Sequence, residues 1–194
     1  FWLSIVVDEE TPSPLPNLDY KIMQGNSLLE SYNGEDLSTF IYRKKLKAGD
    51  SYSLFDGNIE EKRNELKNKL RNYYACTEHK RKLELRKEIA DNVKEQLKEQ
   101  GITIDFTDID ITANCHFFLW HTWFYEVFEK EGFDIVIGNP PYIQLQNNGG
   151  ELAKLYEDCH FQTFAKTGDI YCLFYEKGGQ LFRQQGHLCF ITST

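Results

Sequence analysis

Ten residues, Phe133-Asp134-Ile135-Val136-Ile137-Gly138-Asn139-Pro140-Pro141-Tyr142, constrain this chain more than any other stretch. The apolar, β-branched run Ile135-Val136-Ile137, bounded by Asp134 and Gly138, predicts a strand buried on both faces of a parallel sheet. Pairing must stop after Gly138. Pro140 and Pro141 fix φ and remove two amide donors, so the chain continues as a stiff, extended loop. In open α/β sheets, ligands bind beyond the carboxyl ends of the strands. Here such an end carries an amide, Asn139, and an aromatic ring, Tyr142.

Those two groups suit an exocyclic amine on an aromatic base. Such an amine is a poor nucleophile because its lone pair is delocalised into the ring. The side-chain oxygen of Asn139 and the backbone carbonyl of Pro140 can each accept one N–H and draw the nitrogen towards tetrahedral geometry. The lone pair then points at an electrophile while Tyr142 stacks on the ring. No general base is needed before attack. The plainer reading of the same residues is a strand, a proline turn and a surface tyrosine.

Asn139-Pro140-Pro141-Tyr142 resembles the catalytic motif of the amino-methyltransferases that use S-adenosylmethionine. Residues 14–30, 117–142 and 169–192 resemble, in content and in order, blocks of the large adenine-specific DNA methyltransferases of type IIG restriction-modification enzymes and related phage-defence proteins. The resemblance implies an α/β fold: a partial Rossmann-like S-adenosylmethionine-dependent methyltransferase sheet with an inserted helical hairpin. It makes Asn139, Pro140, Pro141 and Tyr142 catalytic, and double-stranded DNA the partner, with the target adenine rotated out of the duplex. It also places Asn26 against the adenine of the cofactor, where the wider class more often has an acid, and Asp169 near the cofactor pocket. From the residues alone, Asn26 reads equally as an Asx turn capping a helix from Ser27.

No glycine-rich turn follows a first strand, and that turn would hold the methionine end of the cofactor. The pocket is therefore expected to be incomplete, with N-terminal and C-terminal segments of the same chain missing and the full protein needed for activity. The start at Phe1 without an initiator methionine, inside Phe1-Trp2-Leu3-Ser4-Ile5-Val6-Val7, reads the same way. No target-recognition or endonuclease segment is recognisable. A formal net charge of −8 gives no basic footprint with which this piece could grip a phosphate backbone by itself.

The five cysteines show no paired spacing and no signal peptide precedes them, which predicts reduced thiols in a cytoplasmic protein. With the histidines they show no zinc-type spacing either, so no metal is predicted. No stretch is long and apolar enough to span a membrane.

Three parts are expected: residues 1–56 as the first part of the methyltransferase core, 57–101 as a helical hairpin insert, and 102–194 as the core with the catalytic loop. In the first, Pro12, Pro14 and Pro16 make an extended connector, and Tyr20-Lys21-Ile22-Met23-Gln24 a strand of the main sheet ending at Gly25. In the second, Asn58 and Glu61 form a capping-box-like start, with Ile59, Leu66 and Leu70 on one helix. Leu85, Ile89, Val93 and Leu97 line the other until Gly101, with the turn inside residues 73–78. Lys80, Arg81, Lys82, Arg86 and Lys87 alternate with Glu84, Glu88 and Asp91, a solvated face rather than a DNA arm.

In the third part, residues 102–106 and 109–112 alternate like short strands, and the aromatic residues of 117–128 read as core rather than as a platform for bases. Residues 144–150 are expected to be a mobile cover for a bound base. A helix should run over 152–165, and another, lined by Ile170, Leu173, Phe174, Leu181 and Phe182, should be capped by Asp169 and closed by Gly186. The strand His187-Leu188-Cys189-Phe190-Ile191-Thr192 should lie parallel to Ile135-Val136-Ile137. A protein glutamine N-methyltransferase and a noncatalytic interaction module are the alternatives.

Overall fold

A computed structural model describes residues 22–38, 56–102 and 104–192, with residues 56–60 described by backbone alone. Phe1 to Val7, the proline connector, Tyr20, Lys21 and the side chains of Asn58 and Ile59 lie outside the described residues. The elements are β1 (Ser31–Tyr32), β2 (Glu35–Asp36), α1 (Asp56–Ala75), α2 (His79–Glu99), α3 (Trp120–Trp123), α4 (Tyr125–Phe128), β3 (Phe133–Gly138), α5 (Asn147–Glu157), α6 (Ile170–Leu181) and β4 (Phe182–Phe190).

Helices α1 and α2 form the expected hairpin, with Leu66, Leu70, Leu85, Ile89, Val93 and Leu97 buried. Gly101, at φ +85°, closes α2. There the Ile102 amide donates to the Leu97 carbonyl at 3.0 Å and the Gly101 amide to the Lys98 carbonyl at 3.1 Å. These two bonds satisfy carbonyls that the helix end would otherwise leave open, and they require a left-handed residue at Gly101. Lys62 bridges the helices to Glu95, at 2.8 Å, and to Glu99. Exposed pairs of this kind contribute at most about 1 kcal/mol, against about 1.5–3 kcal/mol for burying one such apolar side chain. Packing therefore holds the hairpin. Its charged face is largely self-neutralised: Arg81 pairs with Glu84 and Glu88, both at 3.0 Å.

All of those hairpin side chains but Leu85 share one buried cluster with Leu28, Leu29, Leu37, Phe117, Phe118, Leu119, Trp123 and Tyr125. The aromatic run is thus core. Its polar edges are satisfied, the Trp123 indole N–H by Asn114 Oδ1 and the Trp120 indole N–H by the Ser27 carbonyl, both at 2.9 Å.

Residues 104–106 and 109–112 are not strands. Asp105 Oδ1 accepts the Thr107 amide and Asp110 Oδ1 the Thr112 amide, both at 2.9 Å, and these local bonds turn the chain back before a ladder can form. Phe106 and Ile111 are buried all the same. Residues 22–24 form no strand and join no sheet. At Gly25 the backbone passes so close to Asn114 and Phe118 that a Cβ would lie 2.8 Å from each side chain.

Strands β3 and β4 are parallel neighbours, with Val136 opposite Leu188 and Ile137 opposite Cys189. Helix α6 covers one face only. A Cβ on Gly178 would lie 2.7 Å from Leu188 Cδ1 and 3.0 Å from Phe190 Cζ, so these two side chains of the strand pack directly against the helix backbone, where only glycine leaves room. On the opposite face Ile135 is 57% and Ile137 76% exposed. Burial on both faces therefore does not hold among the described residues.

Gly186 does not close α6, which ends at Leu181; it sits inside β4 where the register shifts. Helix α5 ends at Glu157, short of the expected 165, with acids at its C-terminal end where the dipole disfavours them. Beyond it the Gln162 and Thr163 amides donate instead to the Glu176 carboxylate, at 2.9 and 2.8 Å. Burial works against the charge on Glu176, but these amides and the Thr163 hydroxyl outweigh it and hold the carboxyl below the usual range.

The chain enters β3 through Glu131, at φ +73°. The Glu131 amide donates to Phe128 and the Gly132 amide to Val127, the same helix-closing pattern as at Gly101, here with a side chain in the left-handed region. Glu131→Gly should raise stability by about 1 kcal/mol by removing that strain. A chemical denaturation midpoint that stays put or falls would show that the Glu131 side chain offsets it. No helix among the described residues is long and apolar enough to cross a membrane.

Candidate active site

The loop Asn139-Pro140-Pro141-Tyr142 leaves the carboxyl end of β3. Two bonds clip it to the neighbouring strand end: the Ile191 amide donates to the Gly138 carbonyl at 3.2 Å, and the Tyr142 hydroxyl donates to the Ile191 carbonyl at 3.3 Å. Pro140 is buried beneath the loop, whereas Asn139 and Pro141 are exposed and Tyr142 is 55% exposed. Among the described residues the Asn139 amide has no hydrogen-bond partner. The result is a fixed backbone that presents one unspent carboxamide and one open aromatic face.

Residues 143–145 are tied to the neighbouring turn, whereas residues 146–149 are exposed. The Ile170 amide donates to the Ile143 carbonyl and the Leu145 amide to the Gly168 carbonyl, both at 2.9 Å, while Gln144 and Asp169 form an antiparallel bridge. Leu145 is buried, and its carbonyl accepts the Ala153 amide at 3.1 Å. The start of the expected cover, Gln144 and Leu145, is therefore anchored to the turn before α6. This brings Asp169, half-buried, alongside the segment that follows Tyr142. Asp169 stands at the N-terminus of α6 but forms no side-chain cap; its backbone carbonyl accepts the Cys172 amide at 3.1 Å.

Asn26 lies in the turn after Gly25. Its Oδ1 accepts the Leu28 amide at 3.3 Å, the Asx turn that the residue type suggests, without a helix from Ser27. Its Nδ2 donates to the Tyr156 hydroxyl at 3.2 Å. Tyr156 comes from α5, 130 residues further on. Burial pushes its phenol above the ordinary tyrosine range, so the hydroxyl keeps its proton.

Beneath the Asn26 turn lies a buried charge cluster that no spacing in the sequence announces. The Glu30 carboxylate accepts the His121 amide at 2.8 Å, faces His121 Nδ1 at 3.0 Å, and pairs with Lys177 Nζ at 3.0 Å. Glu30 is 4% and Lys177 8% exposed. Three separate pieces meet there: the Asn26 turn, α3 and α6.

Asn26 carries a carboxamide and Asp169 a carboxylate, groups whose chemistry suits the adenine end of an S-adenosylmethionine, and each has its own neighbours: Tyr156 for Asn26 and Gln144 for Asp169. Among the described residues no glycine-rich turn follows a first strand, the place from which the methionine end would be held. A groove of about 470 Å³ runs between α2 and residues 107–112, lined by Arg86, Lys94, Asp110 and Thr112, and Asn26 and Asn139 are no part of it. Among the described residues no cluster of His, Cys, Asp and Glu could hold a metal ion.

Residues 28–194 match the family model of the Eco57I restriction-modification methylases. A candidate type II restriction enzyme and methyltransferase of Methanocaldococcus jannaschii is 25% identical over 229 aligned residues. That alignment covers 91% of this chain and 18% of the relative, so the chain spans under a fifth of the relative's length. No solved structure matches the chain significantly.

Proposed function

This chain belongs to the Eco57I restriction-modification methylase family, and on that premise we propose that the protein it forms part of is a site-specific DNA adenine-N6 methyltransferase. It acts on double-stranded DNA in the cytoplasm, within restriction-modification or phage defence. One observation carries the reading: the exposed amide of Asn139 and ring of Tyr142 on a loop clipped to Ile191 at the carboxyl end of a parallel strand. On this reading β3 and β4 are strands of a Rossmann-like sheet with α5 and α6 between them in the chain, and α1 and α2 are an insertion.

S-adenosylmethionine, when bound, supplies an electrophilic methyl group on a sulfonium. Asn26 and Asp169 would hold its adenine end. A target adenine, rotated out of the duplex, stacks on Tyr142. Its N6 gives one N–H to Asn139 Oδ1 and one to the Pro140 carbonyl, which frees the nitrogen lone pair for the methyl. With the cofactor bound, the nitrogen would gain the methyl carbon as that carbon's bond to the sulfonium sulfur breaks, leaving a neutral thioether, and would then release one proton to solvent. The 194-residue chain alone should bind the cofactor weakly and transfer nothing, since no glycine-rich turn follows a first strand in it.

The test is methyl transfer by the full-length protein, offered DNA or a glutamine-bearing peptide. DNA should be labelled on adenine N6. Labelling of the peptide alone would indicate the glutamine N-methyltransferase instead, and labelling of neither would favour a noncatalytic module. Tyr142→Ala should weaken capture of the flipped base by about 1–3 kcal/mol, whereas Tyr142→Phe should keep most of it. Equal loss in both variants, read from binding to DNA with a mismatched target base, would remove the stacking role.

A further inference from the structure

The amide of Asn26 is already partly committed. Oδ1 accepts the Leu28 amide, which settles which end of the carboxamide is oxygen. The Tyr156 hydroxyl lies 3.2 Å from Nδ2 and 3.4 Å from Oδ1, so it holds the amide plane from the side. Tyr156 is 4% exposed, its ring fixed in the core on α5, a helix whose approach is tied through Leu145 to Gly168. Among the described residues, what remains unspent on Asn26 is the second N–H of Nδ2.

We propose that Tyr156 is a positioning residue for the cofactor side of the site, and that through it Asn26 acts as a single hydrogen-bond donor to a ring nitrogen of the cofactor's adenine. The proposal rests on the reading of Asn26 as the adenine contact. It adds polarity and a second residue to that reading. A carboxylate at this place could only accept, and would seek the exocyclic amine; an amide locked by Leu28 and Tyr156 offers the opposite sense. Adenine ring nitrogens are acceptors without a proton, so they meet the free N–H and would repel an oxygen. The hydroxyl also removes a freedom that Asn26 would otherwise lose on binding, since an unclamped amide rotates about its last bond.

The experiment uses full-length protein and calorimetric binding of S-adenosylmethionine and S-adenosylhomocysteine to wild type, Asn26→Ala, Asn26→Asp, Tyr156→Phe and the Asn26→Ala/Tyr156→Phe double variant. Tyr156→Phe keeps the buried ring and deletes only the hydroxyl; affinity for both probes should fall about five- to tenfold. The single-turnover rate at saturating cofactor should stay within about twofold, because the methyl-accepting loop is untouched.

In the Asn26→Ala background the Tyr156 change should have no further effect, the signature of action through Asn26. Asn26→Asp should bind no better than Asn26→Ala, since it lacks the N–H, and this arm decides the question even if Tyr156→Phe fails to fold. Additive losses in the double variant, Tyr156→Phe binding as wild type does, or Asn26→Asp binding as tightly as wild type would each overturn the proposal while leaving Asn26 as the adenine contact. If Asn26→Ala leaves affinity unchanged, the adenine-contact reading itself fails and the proposal with it.

Discussion

Asn139→Ala in the full-length protein is expected to lower the single-turnover rate of DNA methylation by about a hundredfold or more, while DNA and cofactor binding change little. The magnitude follows from when the lost bond matters. An aromatic amine in its ground state is planar and its N–H groups are satisfied by water or by the Pro140 carbonyl. As the methyl arrives the nitrogen becomes pyramidal and positively charged, and its N–H groups become much stronger donors. An acceptor fixed beforehand gains most at that moment, which is why its removal shows in the rate rather than in affinity.

The structure supplies the fixing. Gly138 and Tyr142 are both bonded to Ile191, and two prolines stiffen the chain between them. Asn139→Asp is a sharper variant, because it keeps an acceptor while adding a charge that the exposed site can solvate; it should lose less than Asn139→Ala. A rate for Asn139→Ala equal to wild type under single-turnover conditions would remove the proposed role of the loop. A parallel loss of DNA affinity would move Asn139 from the chemistry to recognition.

That tetrapeptide was legible because it is contiguous: a strand, a glycine and two prolines fix a geometry within ten residues. The hairpin was legible for a related reason, since Leu85, Ile89, Val93, Leu97 and the terminating Gly101 express short-range helical physics. The pairing of β3 with β4 follows from two apolar runs joined by helices. How many faces of that pair are covered does not follow. An uninterrupted run such as Ile135-Val136-Ile137 says that the strand tolerates burial, while what packs on it comes from elsewhere in the chain; Ile137 stays 76% exposed here.

Alternation misleads at residues 104–112 because Asp105 and Asp110 bond to amides two residues on, a local competitor that apolar periodicity does not register. Conversely, the β1–β2 hairpin carries a readable signal that long-window patterning passes over, Asn33-Gly34 with φ +51° and +80° between two very short strands. The partners of the candidate site fall outside any window. Tyr156 reaches Asn26 across 130 residues, and Lys177 reaches Glu30 across 147. Neither separation leaves a trace in spacing, charge pattern or composition.

The Glu30 and Lys177 pair bears the second large effect. Lys177→Met keeps the aliphatic length of the side chain in its place on α6 but leaves the Glu30 carboxylate, 4% exposed, with only the backbone amide and Nδ1 of His121 among the described residues. Breaking a buried pair from one side typically costs about 3–5 kcal/mol, because the desolvated charge that remains has lost its counterion. Chemical denaturation of Lys177→Met should show a loss of that order. Adding Glu30→Gln should then recover part of it. The glutamine oxygen can still accept the His121 amide, and a neutral imidazole can offer Nδ1 as an acceptor to the glutamine NH2, so no charge is left buried.

Rescue of a destabilised variant by a second change at its former partner is the mark of a desolvated ion pair; two independent packing defects would add. The pair therefore has a cost that only specificity can offset. Removed together and well filled, it should leave a protein of near wild-type stability. If Lys177→Met costs under about 1 kcal/mol, the value of a solvated surface pair, water reaches Glu30 and the junction of the Asn26 turn, α3 and α6 is not held by charge.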